Sequence, residues 1–203
     1  MEKVSTLYGF ELLGGNMTKV LLYSGGMDSW LMDKLWKPDV KLYVDIGTNT
    51  SKVEITRLPK DVIVKRLDLA EYEDKNKNFL LPLRNLFFVL MGSYYGDEIG
   101  IGATASSIHY DNNTSFKMMT EELMNYLYSE AYDKKVKICL PFLDLDKTDL
   151  LAEYLKQGGD INKAWNETFS CYTPVDGKMC GKCSACKAKI EAFKNNGFDY
   201  KEE

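Results

Sequence analysis

Residues 20–29 read VLLYSGGMDS and decide the fold, because they place a strand, a glycine turn and a helix start in direct succession. The unbroken apolar run at residues 20–23 is typical of a strand buried on both faces of a parallel sheet. Apolar residues then recur at helical spacing up to Pro38. Ligands of open parallel sheets bind beyond the carboxyl ends of the strands, and the turn occupies such a position.

The turn has the features of a phosphate-binding loop. Its two glycines allow backbone N–H groups to approach phosphate oxygens closely, and the positive end of the following helix points to the same place. Two serines add hydroxyl donors, and Asp28 is expected to bind the Mg²⁺ that accompanies ATP. The alternative is an ordinary glycine turn with a helix cap; the spacing fits neither a Walker loop nor a dinucleotide fingerprint. The predicted nucleotide-binding residues are Ser24, Gly25, Gly26, Met27, Asp28 and Ser29.

Strand-like and helix-like segments alternate along the rest of the chain. Further strands are predicted at residues 42–44, 62–64, 99–101 and 136–140. Helical stripes are formed by Leu83, Leu86, Phe87, Leu90 and Met91, and by Phe116, Met119, Leu123 and Leu127. Asp146 is predicted to cap another helix, which Gly158 and Gly159 end. The alternation predicts a doubly wound α/β fold with an open parallel sheet of about five strands.

Four cysteines near the C-terminus form a candidate metal site. Cys171, Cys180, Cys183 and Cys186 follow the spacing Cys-x8-Cys-x2-Cys-x2-Cys, which suits tetrahedral zinc. Four protein ligands leave no open position, so the zinc would be structural. An iron–sulfur cluster is the main competitor, and free or disulfide-linked cysteines are a weaker one. The fifth cysteine, Cys139, is predicted to be an inert core residue.

Composition excludes several classes of function. The chain has 203 residues, 45% of them hydrophobic, which allows one domain with a substantial core and a small appendage. A net charge of −4 argues against nucleic acid as the main partner. The sequence contains no run of 18 apolar residues, so no membrane span is predicted. The N-terminus lacks a signal-peptide pattern, and a cytoplasmic location is therefore expected.

Three regions are predicted along the chain. Residues 1–16 form an N-terminal extension, either an extra edge strand or a mobile leader. Residues 17–168 form the nucleotide-binding α/β domain, and residues 169–203 a small zinc-binding subdomain.

The loop and the cysteines together resemble those of 7-cyano-7-deazaguanine synthases of the queuosine pathway, within the pyrophosphate-loop (PP-loop) ATPase superfamily. The resemblance covers about residues 18–198 and implies an adenine nucleotide α hydrolase-like fold. It includes LRNLF at residues 83–87, IGA at 101–103, PFLDLDK at 141–147, SCY at 170–172 and CGKCSAC at 180–186.

The resemblance implies conversion of 7-carboxy-7-deazaguanine and ammonia to the nitrile through an acyl-adenylate and an amide, with AMP and pyrophosphate released. It implies ATP, Mg²⁺ and Zn²⁺ as cofactors, and it leaves the oligomeric state open, a homodimer included. Arg84 and Lys147 match family positions and are candidate catalytic residues beside Asp28. The other interpretation of these two cations is that they are helix-end charges on solvated faces.

Three departures from the family pattern concern the substrate half. Residues 47–61 are shorter than in the family and are expected to lose much of a crossover helix. Residues 103–110 replace the usual acidic and aromatic pattern, and they contain the only histidine, His109. The alternatives are therefore a variant that stops at the amide, another PP-loop adenylating enzyme with a different acceptor, and a non-catalytic nucleotide-binding subunit.

Overall fold

The computed structural model describes residues 17–74, 81–105, 110–129, 132 and 134–200. Its centre is a five-stranded, all-parallel sheet in the order β3-β2-β1-β4-β5. The predicted doubly wound α/β fold is confirmed. The strands are β1 (Lys19–Leu22), β2 (Val40–Asp45), β3 (Val62–Arg66), β4 (Glu98–Ile101) and β5 (Lys137–Cys139).

Seven helices cover the two faces of the sheet in the described residues. Alternate β1 residues point to opposite faces: Val20 lies in the core beneath α3 and α4, and Leu21 in the core beneath α1, α5 and α7. The strand order reverses between β1 and its neighbour β4, so the carboxyl end of β1 is the switch point where such sheets bind ligands. The helices are α1 (Met27–Trp36), α2 (Asn49–Ile55), α3 (Arg84–Ser93), α4 (Thr114–Ser129), α5 (Lys147–Lys156), α6 (Ile161–Glu167) and α7 (Ser184–Asn195).

The helix α4 was predicted correctly, but of its predicted apolar stripe only Phe116 lies in the core. Met119, Leu123 and Leu127 are 65%, 51% and 57% exposed, whereas Thr120 and Met124 are buried. The buried face therefore runs through Phe116 at four-residue steps. Apolar periodicity did not identify this face, because its central residue, Thr120, is polar.

In α3 the predicted stripe is only partly turned inward. Leu83 and Leu90 are exposed, and the buried residues of α3 are Asn85, Val89, Gly92 and Ser93. A Cβ on Gly92 would come within 2.9 Å of the Ile99 side chain, so the glycine lets α3 approach β4 closely.

The shortened crossover between β2 and β3 keeps the seven-residue helix α2. Thr48 caps it by accepting from the Ser51 backbone N–H at 3.3 Å. The predicted extension at residues 1–16 and His109 lie outside the described residues, and the division at residue 168 stays a prediction. Within the described part of the chain, no helix is both long and apolar enough to cross a membrane.

Candidate active site and metal centre

The predicted phosphate loop lies at the carboxyl end of β1 and is shaped by its own serines. Gly25 has φ +74°, a backbone conformation that favours glycine. Ser24 N–H donates to Ser29 Oγ at 3.2 Å, and Ser24 Oγ accepts from Gly26 N–H at 3.3 Å. Helix α1 begins at Met27 with no side-chain cap from the preceding glycine. The positive end of α1 is therefore directed at the turn, where an anion would bind.

Asp28 and Lys147 meet at this turn although 119 residues separate them. Asp28 Oδ2 forms an ion pair with Lys147 Nζ. Asp28 Oδ1 is buried and has no hydrogen-bond partner among the described residues. A buried carboxylate oxygen without a partner is costly unless a ligand completes it, and carboxylate oxygen is a ligand that Mg²⁺ prefers. The site therefore fits the predicted magnesium ion.

Lys147 is held by the helix that it begins. The carboxylate of Asp146 accepts from the Asp149 backbone N–H at 2.8 Å, so the predicted cap is confirmed. Helix α5 packs against α1, which carries Asp28. The capped end of α5 therefore brings a cation to the start of α1, where phosphate charge would accumulate.

Arg84 is exposed at the first residue of α3, and no described hydrogen bond or ion pair joins it to the loop. Its charge acts on Glu54 instead. Burial raises the pKa of the Glu54 carboxyl, and the Tyr43 hydroxyl, which donates to it at 2.8 Å, and Arg84 both oppose that rise. Sequence reasoning missed this partly buried carboxyl, because Glu54 lies in a short polar helix.

A cavity of about 440 Å³ lies beyond the carboxyl ends of β4 and β5 and is lined by the segments that follow these strands. The backbone N–H of Ala105 donates to Leu145 O at 2.8 Å and joins the two segments that follow these strands. The cavity adjoins the altered segment at residues 103–110, of which residues 106–109 lie outside the described part. Its lining residues are Ala105, Asn113, Thr114, Ser115, Leu143 and Asp144.

The four predicted metal ligands converge. The Sγ atoms of Cys171, Cys180, Cys183 and Cys186 all lie within 4.8 Å of one another, and those of Cys180 and Cys186 are 3.9 Å apart. A zinc–sulfur bond of about 2.3 Å places two sulfurs of a tetrahedron roughly 3.8 Å apart. The cluster thus has the dimensions of a single four-coordinate ion.

Backbone and hydroxyl donors surround the sulfurs of this cluster. The N–H groups of Tyr172 and Cys183 donate to Cys183 Sγ and Cys180 Sγ, respectively, each at 3.4 Å. The Thr173 hydroxyl and backbone N–H groups lower the pKa of the Cys180 thiol to about 5, whereas burial raises the pKa of Cys186. Donors of this kind stabilise thiolate, which is the form that binds metal.

Two further residues lie in or against the segment between the cysteine cluster and the loop, and sequence reasoning missed both roles. Ser170, adjacent to the ligand Cys171, accepts a hydrogen bond from Met27 N–H at 3.2 Å. Lys189 is 1% exposed and donates to the carbonyls of Trp165 and Thr168 at 2.9 and 2.6 Å. Burial lowers the pKa of Lys189 to about 7. The pattern SCY marked Ser170 as a motif residue but did not indicate its contact.

Comparison with known proteins gives a consistent result. The sequence profile of the family described as Queuosine biosynthesis protein QueC matches residues 39–197, a range that begins after the phosphate loop. The 7-cyano-7-deazaguanine synthase of Marinobacter nauticus is 32% identical, over 88% of this chain and 93% of its own length. The 7-cyano-7-deazaguanine synthase 1 of Colwellia psychrerythraea is 27% identical over 87% and 94%, respectively. The synthase of Persephonella marina is 28% identical over 89% and 93%.

Among solved structures, the U34-tRNA thiolase NcsA from Methanococcus maripaludis with its [4Fe-4S] cluster matches with a TM-score of 0.38. It is 14% identical and the match covers 90% of this chain and 66% of that one. A similarity of this size supports no conclusion about the metal or the substrate.

Proposed function

The chain belongs to the QueC family of queuosine biosynthesis proteins, and from that premise we propose that it converts 7-carboxy-7-deazaguanine and ammonia to 7-cyano-7-deazaguanine, using ATP. The observation that carries the ATP half is the Asp28–Lys147 pair at the start of α1. One carboxylate oxygen is paired and the other is buried without a partner. This arrangement suits a magnesium–phosphate complex seated on the glycine turn.

The proposed reaction runs in two adenylation steps. A carboxylate oxygen of the substrate attacks the α-phosphorus of ATP, and pyrophosphate leaves. Ammonia then attacks the acyl carbon, a proton is lost and AMP leaves, which gives the amide. The amide oxygen attacks the α-phosphorus of a second ATP and pyrophosphate leaves; loss of AMP and of the two N–H protons then gives the nitrile. The nitrile therefore consumes two ATP molecules, whereas a reaction that stops at the amide consumes one.

The chain's own residues position and neutralise charge in this scheme. The N–H groups of the turn and the start of α1 would hold the pyrophosphate, with Ser24 and Ser29 fixing the shape of the loop. Asp28 Oδ1 would bind Mg²⁺, which spreads the negative charge that develops on the phosphates. Lys147 would bring a fixed cation to the same phosphates. Arg84 makes no described hydrogen bond or ion pair with the loop, and we propose that it meets substrate charge at the rim of the site.

For the cysteine cluster we propose a single structural zinc. Four thiolates of a four-iron cluster bind four different iron atoms, so their sulfurs must lie further apart than those that share one ion. The spacing of at most 4.8 Å favours one ion. Metal analysis of the purified protein should find one zinc per chain and no iron; iron with a visible absorption band would overturn this assignment.

The function is tested by product identity and stoichiometry together. The protein is incubated with Mg·ATP, an ammonium salt and the carboxy compound; base products are identified by mass and AMP is counted. Two AMP per nitrile are expected. One AMP per amide would favour the reaction that stops at the amide. The altered segment at residues 103–110, which adjoins the cavity, is the reason to consider this alternative. Absence of both AMP and a base product would reject both reactions and favour another acceptor or a non-catalytic role.

A further inference from the structure

The segment from Thr168 to Cys171, which we call the strap, runs directly over the phosphate loop. Phe169 N–H donates to Gly25 O at 3.0 Å, and Met27 N–H donates to Ser170 Oγ at 3.2 Å. A Cβ added to Gly26 would lie 3.7 Å from Phe169 O and 3.9 Å from Ser170 Oγ. The strap therefore touches three successive residues of the turn.

The Ser170 hydroxyl occupies a chemically significant position. Met27 is the first residue of α1, and the N–H groups at a helix start are the ones that bind phosphate. Because Ser170 Oγ accepts the Met27 N–H, its own proton points elsewhere, and no described residue accepts it. A hydroxyl that accepts from the helix and donates to a phosphate oxygen would enlarge the donor set of the loop.

The strap is anchored on both sides of Ser170. On one side, Lys189 Nζ donates to Thr168 O at 2.6 Å from a position that is almost fully buried. On the other side, Cys171 belongs to the metal centre. The ring of Phe169 is also covered by the Arg57 guanidinium, 4.3 Å from its centroid. These anchors fix a hydroxyl that would otherwise sit on an irregular segment with no helix or strand to orient it.

Building on the proposed function, we infer that Ser170 is an ATP-binding residue that donates to the pyrophosphate part of the nucleotide, and that the strap positions it from its anchors at Lys189 and Cys171. The cysteine cluster is thereby connected to the phosphate loop through the strap. Ser170 adds to the loop a donor from a segment 143 residues away in the chain.

Direct binding measurements test the inference without the acceptor reaction. Dissociation constants of the metal-loaded wild type and of Ser170→Ala are measured for Mg·ATP, pyrophosphate and AMP. Because Ser170→Ala removes a hydrogen bond to a charged group, the dissociation constants for ATP and pyrophosphate should rise about 10-fold. AMP, which lacks the pyrophosphate, should bind with less than a twofold change. Ser170→Thr keeps the hydroxyl and should restore most of the ATP affinity.

Ser184→Ala is the matched control, because Ser184 is an exposed hydroxyl beside the ligand Cys183 at the start of α7. It should bind ATP like the wild type. The inference is wrong if Ser170→Ala binds ATP and pyrophosphate as tightly as the wild type. It is also wrong if the variant loses affinity for AMP by the same factor as for ATP. If the wild type itself does not bind ATP, the proposed function fails, which is a different result.

A double-mutant cycle tests the anchoring. Lys189→Met should weaken ATP binding when it is introduced into the wild type. In the Ser170→Ala background it should weaken ATP binding little further, because both changes remove the same contact. Metal content is measured in each variant to show that the cysteine cluster is still loaded. Arg57→Gln gives the same test from the exposed side of the strap if Lys189→Met does not fold. Fully additive effects in the cycle would reject the positioning role of the strap.

Discussion

At the scale of single residues, Asp28 is the most exacting test of the loop. Asp28→Asn keeps the shape of the side chain but removes the charge that Mg²⁺ and Lys147 require. We expect AMP formation to fall at least about 100-fold, the size of effect seen when one charge-stabilising group is removed. Asp149→Asn is the control, since that carboxylate is exposed on the first turn of α5. An Asp28→Asn enzyme with more than about a tenth of wild-type activity would contradict the magnesium role.

Glu54 gives a prediction about pH. Burial raises the pKa of its carboxyl in the folded state above the unfolded value of about 4.3. Between the unfolded and the folded pKa of Glu54, the folded state binds more protons than the unfolded chain. The free energy of unfolding therefore falls as pH rises through this range. Glu54→Gln still accepts from Tyr43 and should be more stable than the wild type at pH 7. The difference in stability between the two proteins should vanish below about pH 4, where the Glu54 carboxyl is protonated and as neutral as the glutamine amide.

Denaturant titrations of both proteins between pH 4 and 8 check this expectation. Glu153→Gln serves as the control, because Glu153 makes surface contacts within its own helix: an ion pair with Lys156 at 3.8 Å and a hydrogen bond accepted from Gln157 Nε2 at 3.1 Å. If Glu54→Gln is less stable than the wild type at pH 7, the carboxylate must be compensated by a charge that the described contacts do not include.

At the scale of the helices, the cap of α5 joins stability to the site. Asp146→Ala should lower the free energy of unfolding by about 1 kcal/mol and the Tm by about 2–4 °C. It should also raise the KM for ATP, because the frayed first turn carries Lys147. Asp160→Ala is matched to it: Asp160 caps α6 by accepting from Asn162 and Lys163. That control should lose similar stability with an unchanged KM, as measured by calorimetry and steady-state kinetics.

The elements also show where sequence reasoning succeeds and where it fails. Strands such as β1 were predictable because residues buried on both faces form unbroken apolar runs, and the cysteine cluster because its spacing is local. The buried face of α4 was not, since Thr120 takes a core position and Leu123 an exposed one. Periodicity reports which residues share a face, but it does not report which face has a neighbour.

At the scale of the whole molecule, the contacts that complete the site are the least predictable. Met27 and Ser170 are 143 residues apart, and Lys147 is 119 residues from Asp28. No pattern along the chain records such pairs, because they depend on how helices pack across the sheet. The resemblance to a family could nominate Lys147 as a candidate, but only the folded arrangement brings its ammonium group to the loop.

The metal centre is also part of the global fold. Helix α7 begins beside the ligand Cys183, and its Phe193 is fully buried in the same core as Trp30 of α1 and Leu151 of α5. Loss of the metal should therefore release a helix that belongs to the main core. A structural zinc contributes on the order of 10 kcal/mol to folding, and each kcal/mol moves the Tm of a chain of this size by about 2–4 °C.

We therefore expect chelation, or Cys183→Ala, to lower the Tm by more than about 10 °C, with one cooperative transition in calorimetry rather than two. Cys139→Ala is the matched control, since Cys139 is buried in β5 and lies outside the cluster; it should keep its zinc and respond to chelation as the wild type does. Two separate transitions would mean that the C-terminal segment unfolds independently of the sheet. An unchanged Tm after complete removal of the metal would mean that α7 is held by its apolar contacts alone, and the structural role of the ion would be rejected.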